Sequence, residues 1–133
     1  MAANTTPIFP LTPIVGIGTL TSATAITSRA NITGTTGLVQ LTATSTNGTR
    51  VDAITVKGKG TTVASILSVW IYNGTTSFLY DEFDVTAITA STTVDSFVLT
   101  KTYNNLTLPP TYQLYISEQV QTDLNVYAFG GQY

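Results

Sequence analysis

The densest group of chemically capable side chains is Asp81-Glu82-x-Asp84. Three carboxylates within four residues form the kind of oxygen-rich set that can hold Ca²⁺ or Mg²⁺. On a strand, successive side chains alternate between faces, so Asp81 and Glu82 diverge and only Glu82 and Asp84 can converge. Solvated charges on an exposed strand are therefore expected there, and no metal. A glycosidase pair needs two acids at a set separation, and nothing in the chain marks one. Gly16-Ile17-Gly18 and Gly58-Lys59-Gly60 superficially suggest phosphate cradles. Neither continues to G-x-G-x-x-G or opens a helix, so turns explain them better.

The chain has no histidine and no cysteine. That removes thiol nucleophiles, imidazole bases, disulfides and the usual zinc or iron–sulfur ligation. A serine nucleophile has no histidine to activate it, and no motif around Lys57, Lys59 or Lys101 recommends a Ser–Lys dyad. The expectation is a protein without catalytic residues, metal or cofactor, and not an enzyme. Five N-x-T sequons begin at Asn4, Asn31, Asn47, Asn73 and Asn105. They fit a glycosylated surface protein, but asparagine before glycine or threonine is also what β-turns select, and turns are the favoured explanation.

The elements that must carry these residues are legible in the composition. Of 133 residues, 28 are threonine and only 9% are charged, against about 25% in an ordinary soluble domain. β-Branched residues in that quantity favour pleated surfaces over helices. In Ser65–Tyr72 one face carries Leu67, Val69 and Ile71 and the other Ile66, Ser68, Trp70 and Tyr72. Both faces are apolar enough to predict a central strand covered on both sides. Further strands are expected at Leu38–Ala43, Val51–Val56, Ser77–Phe83, Val94–Lys101, Tyr112–Ser117 and Leu124–Phe129. Asn73-Gly74 predicts a hairpin with a type I′ turn between Ser65–Tyr72 and Ser77–Phe83. Seven or eight short strands at this spacing predict an all-β fold, a single β-sandwich with jelly-roll topology preferred. Trp70 and Phe97 are expected in its core.

The N-terminus differs, because Pro7, Pro10 and Pro13 hold it extended among apolar residues and bar it from the centre of a sheet. The expected organisation is an extended arm over residues 1–20 and a sandwich over 21–133. The arm either packs on its own sandwich or reaches a neighbouring subunit. Tyr127, Phe129 and Tyr133 make an aromatic C-terminus that calls for a pocket on this chain or another.

Five basic residues and a net charge of −2 cannot form the electropositive stripe that nucleic acid requires. No run approaches a membrane span and no secretion signal is visible, so neither nucleic acid nor membrane is an expected partner. Few charges leave the chain poorly equipped to stay apart from its copies. Such a surface suits burial against other subunits, where desolvating a hydroxyl costs far less than desolvating a charge. The residues themselves thus point to a structural, oligomeric β-protein.

Three stretches extend that reading: TPIFPLTPIVGIGTLTSA, the central NGTRVDAITVKGKGTTVASILSVWIYNGTTSFLYDEFDVTA and the closing LPPTYQLYISEQVQTDLNVYAFGGQY. With a G-x-R before a strand, an N-G-T-T turn, LPP-x-Y and a terminal GG-x-Y, the chain resembles small tailed-phage virion proteins encoded near the major capsid protein. The resemblance implies a capsid decoration or cement protein, a homotrimer bound to the major capsid protein on the outer surface of the virion and made in the host cytoplasm. The contacts between chains would then fall to Ile8, Phe9, Leu11 and Ile14 of the arm and to Phe129 and Tyr133 of the tail. The alternative is a receptor- or carbohydrate-binding β-sandwich module of a phage fibre or cell-surface assembly, with an aromatic platform drawn from Tyr72–Tyr80. A surface-layer or pilus subunit would explain the sequons but calls for an export signal.

Overall fold

A computed structural model describes Pro10 and residues 12–21 and 25–133. Among the described residues there is no helix, and ten strands form two five-stranded antiparallel sheets. Sheet 1 runs β1 (Thr12–Leu20), β10 (Leu124–Gln132), β4 (Thr49–Gly58), β7 (Val98–Thr102), with the short β8 (Thr107–Leu108) also on β4. Sheet 2 runs β2 (Ile32–Thr33), β6 (Thr76–Val85), β5 (Ser65–Tyr72), β9 (Gln113–Glu118), β3 (Val39–Gln40). Setting aside the two-residue β2 and β8, the remaining strands taken in chain order lie first-eighth-third-sixth in one sheet and second-seventh-fourth-fifth in the other. That is the jelly roll, an all-β sandwich of two interlocked Greek keys.

The core lies between the sheets. Leu67 and Val69 of β5, Phe83 and Val85 of β6, and Leu114 and Ile116 of β9 meet Ile54 and Val56 of β4 and Leu124, Val126 and Ala128 of β10. Phe97 joins them. Strand β4 keeps its apolar residues inward by changing phase. Phe129 pairs with Ala53 but Gly130 pairs with Val51, so Asp52 is an extra residue, and the buried positions pass from Thr49 and Val51 to Ile54, Val56 and Gly58. The bulge draws the strands so close that a Cβ on Gly130 would sit 1.8 Å from the Arg50 carbonyl oxygen.

Several expectations are corrected. Residues 12–20 are not an arm separate from the sandwich: they form β1, an edge strand paired along its length with β10, so a boundary at residue 20 cuts through sheet 1. Pro13 is tolerated because only an edge strand can spare its N–H. Gly16-Ile17-Gly18 is no turn. It lies inside β1, where a Cβ on Gly16 would fall 2.3 Å from the Leu41 carbonyl oxygen and one on Gly18 would fall 2.8 Å from Ile116. These glycines let the edge of sheet 1 close against sheet 2. At Asn73-Gly74 the hairpin forms, but only Gly74 has positive φ. Asn73 acts through its side chain, its Oδ1 accepting the Thr75 and Thr76 N–H groups at 3.0 and 2.9 Å.

Trp70 is fully buried, yet it stands outside the inter-sheet core, on the opposite face of β5. Its Nε1 donates to Ser117 Oγ at 2.9 Å. A strap over residues 26–38 crosses this outer face of sheet 2. It is tied by Ile26 N–H to the Glu118 carbonyl, by β2 pairing with β6, and by Ser77 Oγ donating to the Gly34 carbonyl. Arg29 adds a two-pronged ion pair to Glu82, at 2.7 and 2.9 Å. Strand β5 is thus covered on both faces, as its sequence predicts.

Candidate functional site

Alternation along four strands of sheet 1 turns every second side chain away from the core. Strand register places these side chains in three rows. The first holds Val15, Phe129, Ala53 and Thr102, the second Ile17, Tyr127, Thr55 and Thr100, and the third Thr19, Asn125, Lys57 and Val98. Nothing in the described chain lies on this face, and its apolar members stay wet: Val15 is 54% exposed, Ile17 59%, Val98 57% and Phe129 40%. The Tyr127 and Phe129 rings stack at 6.4 Å.

Two pairs of polar side chains on the face are engaged with each other. Thr19 Oγ1 donates to Asn125 Oδ1 at 3.0 Å, and the Thr55 and Thr100 hydroxyls share a hydrogen bond of 2.8 Å. Lys57, the one charge in the rows, reaches sideways to the Ser96 carbonyl at 3.3 Å. A hydroxyl that keeps its partner when water leaves costs little to bury, whereas an orphaned one costs about 1–3 kcal/mol. These two pairs are therefore prepared for desolvation. At its β-bulge end, Arg50 and Asp52 form an exposed ion pair at 2.7 Å beside an open depression of about 320 Å³ that Pro10, Pro13, Gly130 and Gly131 also line.

The acidic cluster does other work. Asp81 faces sheet 1, accepting from Lys101 Nζ at 3.1 Å and from the Tyr103 hydroxyl at 2.7 Å. Burial pushes its carboxyl up, but the Tyr103, Lys101 and Glu82 N–H donors outweigh burial and hold it below the usual range. Burial first, and then the bond to Asp81, raise the Tyr103 hydroxyl. Lys101 also bonds the Glu82 carbonyl and lies 4.6 Å over the Phe83 ring. Glu82 turns outward to Arg29, whose hydrogen bond lowers its carboxyl, and Asp84 is exposed. Asp81 and Glu82 are thus consumed in ion pairs that tie β6 to β7 and to the strap, where solvated charges were expected. Among the described residues no three such ligands are grouped to hold a metal ion.

The structure separates the predicted contact residues. Ile8, Phe9 and Leu11 lie outside the described residues. Ile14 is half-buried opposite Gly130 and belongs to the core-facing side of β1. Tyr133 is half-buried against its own chain, its N–H bonded to the Gly48 carbonyl at 3.2 Å. Of the three described, Phe129 alone stands on the exposed face. Its companions Val15, Ile17 and Val98 went unrecognised, although their alternation with buried neighbours was available to find them. Of the aromatic residues in Tyr72–Tyr80, Tyr72 packs edge-on against Tyr115, while Phe78 and Tyr80 are exposed, Tyr80 beside Tyr103. Of the sequons, Asn47 precedes the positive-φ Gly48 and Asn73 caps a hairpin; Asn4 lies outside the described residues. The chain matches no family model, no curated protein and no solved structure.

Proposed function

We propose that this protein is a structural component of a virion, a capsid decoration or cement protein that binds the outer capsid as an oligomer and reinforces the shell. The observation that carries the reading is the outer face of sheet 1, with Val15, Ile17, Val98 and Phe129 exposed beside the hydrogen-bonded Thr19–Asn125 and Thr55–Thr100 pairs, in a chain with 9% charged residues. The sequence resemblance to small tailed-phage virion proteins supplies the partner, the major capsid protein, and the trimer. Jelly rolls serve capsid and lectin domains alike, so the fold supports this reading by analogy only.

The work of such a protein is linkage. Contacts made only on the assembled shell stabilise that shell, as a ligand stabilises the state it binds. Val15, Ile17, Val98 and Phe129 are about half exposed. Completing their burial is worth about half of the ~1.5–3 kcal/mol of a full side chain, so about 3–6 kcal/mol gross per subunit before ordering costs. Several subunits acting together multiply the effect through effective concentration. The test is co-expression with the major capsid protein of the same genome, followed by sedimentation of assembled shells. Attachment with a raised shell melting temperature is the expected result, and a protein left wholly in the supernatant refutes it.

A receptor- or carbohydrate-binding module is the second reading. Phe78 and Tyr80 of β6 favour it, both being exposed, with Tyr80 beside Tyr103. Against it, Asp81 and Lys101, the nearest groups able to orient a sugar, are spent on one another.

A further inference from the structure

We propose that Glu118 is a pH-sensitive latch at one end of the sandwich: neutral, it holds residues 119–123 closed over its own carboxyl, and ionised it releases them while the strands on either side stay paired. The inference stands apart from the reading of the protein as a virion component and does not depend on it.

Residues 119–123 carry the chain from sheet 2 to sheet 1, out of β9 and into β10. This crossing is tied on several sides. Gln119 N–H donates to the Ile66 carbonyl at 2.9 Å, and Ser65 Oγ both donates to the Val120 carbonyl at 2.8 Å and accepts the Val120 N–H at 3.0 Å. Thr122 Oγ1 accepts the Val63 N–H at 3.3 Å, and the Asp123 carbonyl accepts the Lys59 N–H at 3.0 Å. The crossing thus fastens the start of β5 and the turn over residues 59–64 to the end of β9. Glu118 lies at its root, fully buried, with one carboxyl oxygen accepting the Thr122 N–H and the other unpartnered. Gln119 Nε2, on the next side chain, is also buried without a partner.

A carboxylate has room for about four hydrogen bonds, and here it finds one. No cation makes up the difference. Among the described residues Arg29, Arg50 and Lys101 are paired to Glu82, Asp52 and Asp81, and Lys57 bonds the Ser96 carbonyl. The elements around Glu118 bring no compensation either. Strand β5 sets Leu67 opposite it, the strap meets its backbone carbonyl through the Ile26 N–H, and the turn brings Lys59, whose tie to the crossing is a backbone N–H. Burial pushes the carboxyl above the usual range, the Thr122 N–H opposes the shift, and the Asp123 charge on the crossing adds to it.

Below its raised value the carboxyl is neutral and costs little to keep under the crossing. As pH rises through that value, a charge must either stay buried or reach water. The crossing is the cheapest way out. It has no strand pairing of its own, and Val120 and Asp123 are already exposed. Breaking the Thr122 bond turns the carboxyl toward solvent and leaves the ladders of β9 with β5 and of β10 with β4 in place.

NMR of the full, isotopically labelled chain from pH 4 to pH 9 tests this. The side-chain carboxyl carbon of Glu118 should titrate with a midpoint above the ordinary glutamate value. Across that midpoint the Val63, Val120 and Thr122 amides should lose protection from hydrogen exchange at least tenfold, once the pH dependence of intrinsic exchange is removed, while Val69 and Val126 in the strands keep theirs. Glu118→Gln should hold the protection of the crossing level across the range, and Asp123→Asn, an exposed change, should lower the midpoint. A Glu118 midpoint at or below the ordinary value overturns the latch. So does loss of protection at Val69 and Val126 in step with Thr122, which is unfolding of the whole sandwich, or the same pH-dependent loss in Glu118→Gln. Should that variant fail to fold, the wild-type titration and the Asp123→Asn shift decide alone.

Discussion

Glu118 offers the sharpest test of the packing. It is fully buried on the core side of β9, directly opposite Leu67. One carboxyl oxygen accepts the Thr122 N–H at 3.1 Å, and Oε1 has no partner. Burial pushes this carboxyl above the usual range; the Thr122 bond opposes the shift and Asp123 adds to it. The folded state therefore favours the protonated form. The stabilisation is complete below the ordinary glutamate value and is lost as pH rises through the raised one. Glu118→Gln keeps an oxygen for Thr122 and carries no charge at any pH. Removing a buried, half-satisfied carboxylate relieves about 1–3 kcal/mol, from which the unpartnered amide takes back about 1, leaving a net gain of about 1–2 kcal/mol above the transition. For a chain of this size that is about 4–7 °C. Melting followed by circular dichroism from pH 4 to pH 9 should show the wild type losing stability with rising pH and the variant holding level. A variant that melts below the wild type at pH 9, or a wild type with no slope across that range, refutes the reasoning.

Gly130→Ala forces a methyl group to within 1.8 Å of the Arg50 carbonyl, with backbone on both sides of the clash. A loss of 3 kcal/mol or more, on the order of severe overpacking, is expected in urea denaturation, and a loss under about 1 kcal/mol would show that the bulge can relax. Arg29→Ala removes the ion pair that pins the strap to β6. Acrylamide should then quench Trp70, the chain's single tryptophan, more readily with little change in melting temperature, and unchanged quenching would mean the backbone ties suffice. Tyr103→Phe takes one donor from Asp81, whose carboxyl is held low, so that stability is present above the ordinary aspartate value and lost as pH falls through the lowered one. The variant should be less stable by about 1–2 kcal/mol at pH 7, with the gap closing as pH falls through the lowered value and the carboxyl is protonated in both proteins.

Much of the sandwich was legible because the side-chain period of a strand is local. Ser65–Tyr72 carries apolar residues in both phases, and the structure gives that strand the same bounds and covers both its faces. Where a long-range contact sets the local choice, the sequence misleads. Val51, Ile54 and Val56 are out of phase for any regular strand, and only the extra residue Asp52 reconciles them. Gly16 and Gly18 look like turn residues, yet the reasons for them are distant in the chain: the Leu41 carbonyl, just past β3, for Gly16 and the Ile116 side chain of β9 for Gly18. Prolines 7, 10 and 13 disguised β1, since they argue against a sheet centre and are silent about its edge.

The exposed face shows the same limit more sharply. Each of its strands contributes only three outward residues, and in β1, β4, β7 or β10 alone these read as the ordinary outer half of an alternating strand. Phe129 stood out as a member of the aromatic C-terminal group with Tyr127 and Tyr133, whereas Val15, Ile17 and Val98 belonged to no such group. Residues from 15 to 129 become one surface only through register, and register is fixed by the closing of β1 onto β10 and of β10 onto β4. A shift of one residue in either pairing would turn the apolar row inward and expel Val126 and Ala128 from the core. The core therefore enforces the face: the burial that holds β10 between β1 and β4 leaves Ile17, Tyr127 and Thr55 no place except the outside. A surface so dictated by folding is kept apolar at some cost in solubility, and that cost is recovered only if another polypeptide covers it.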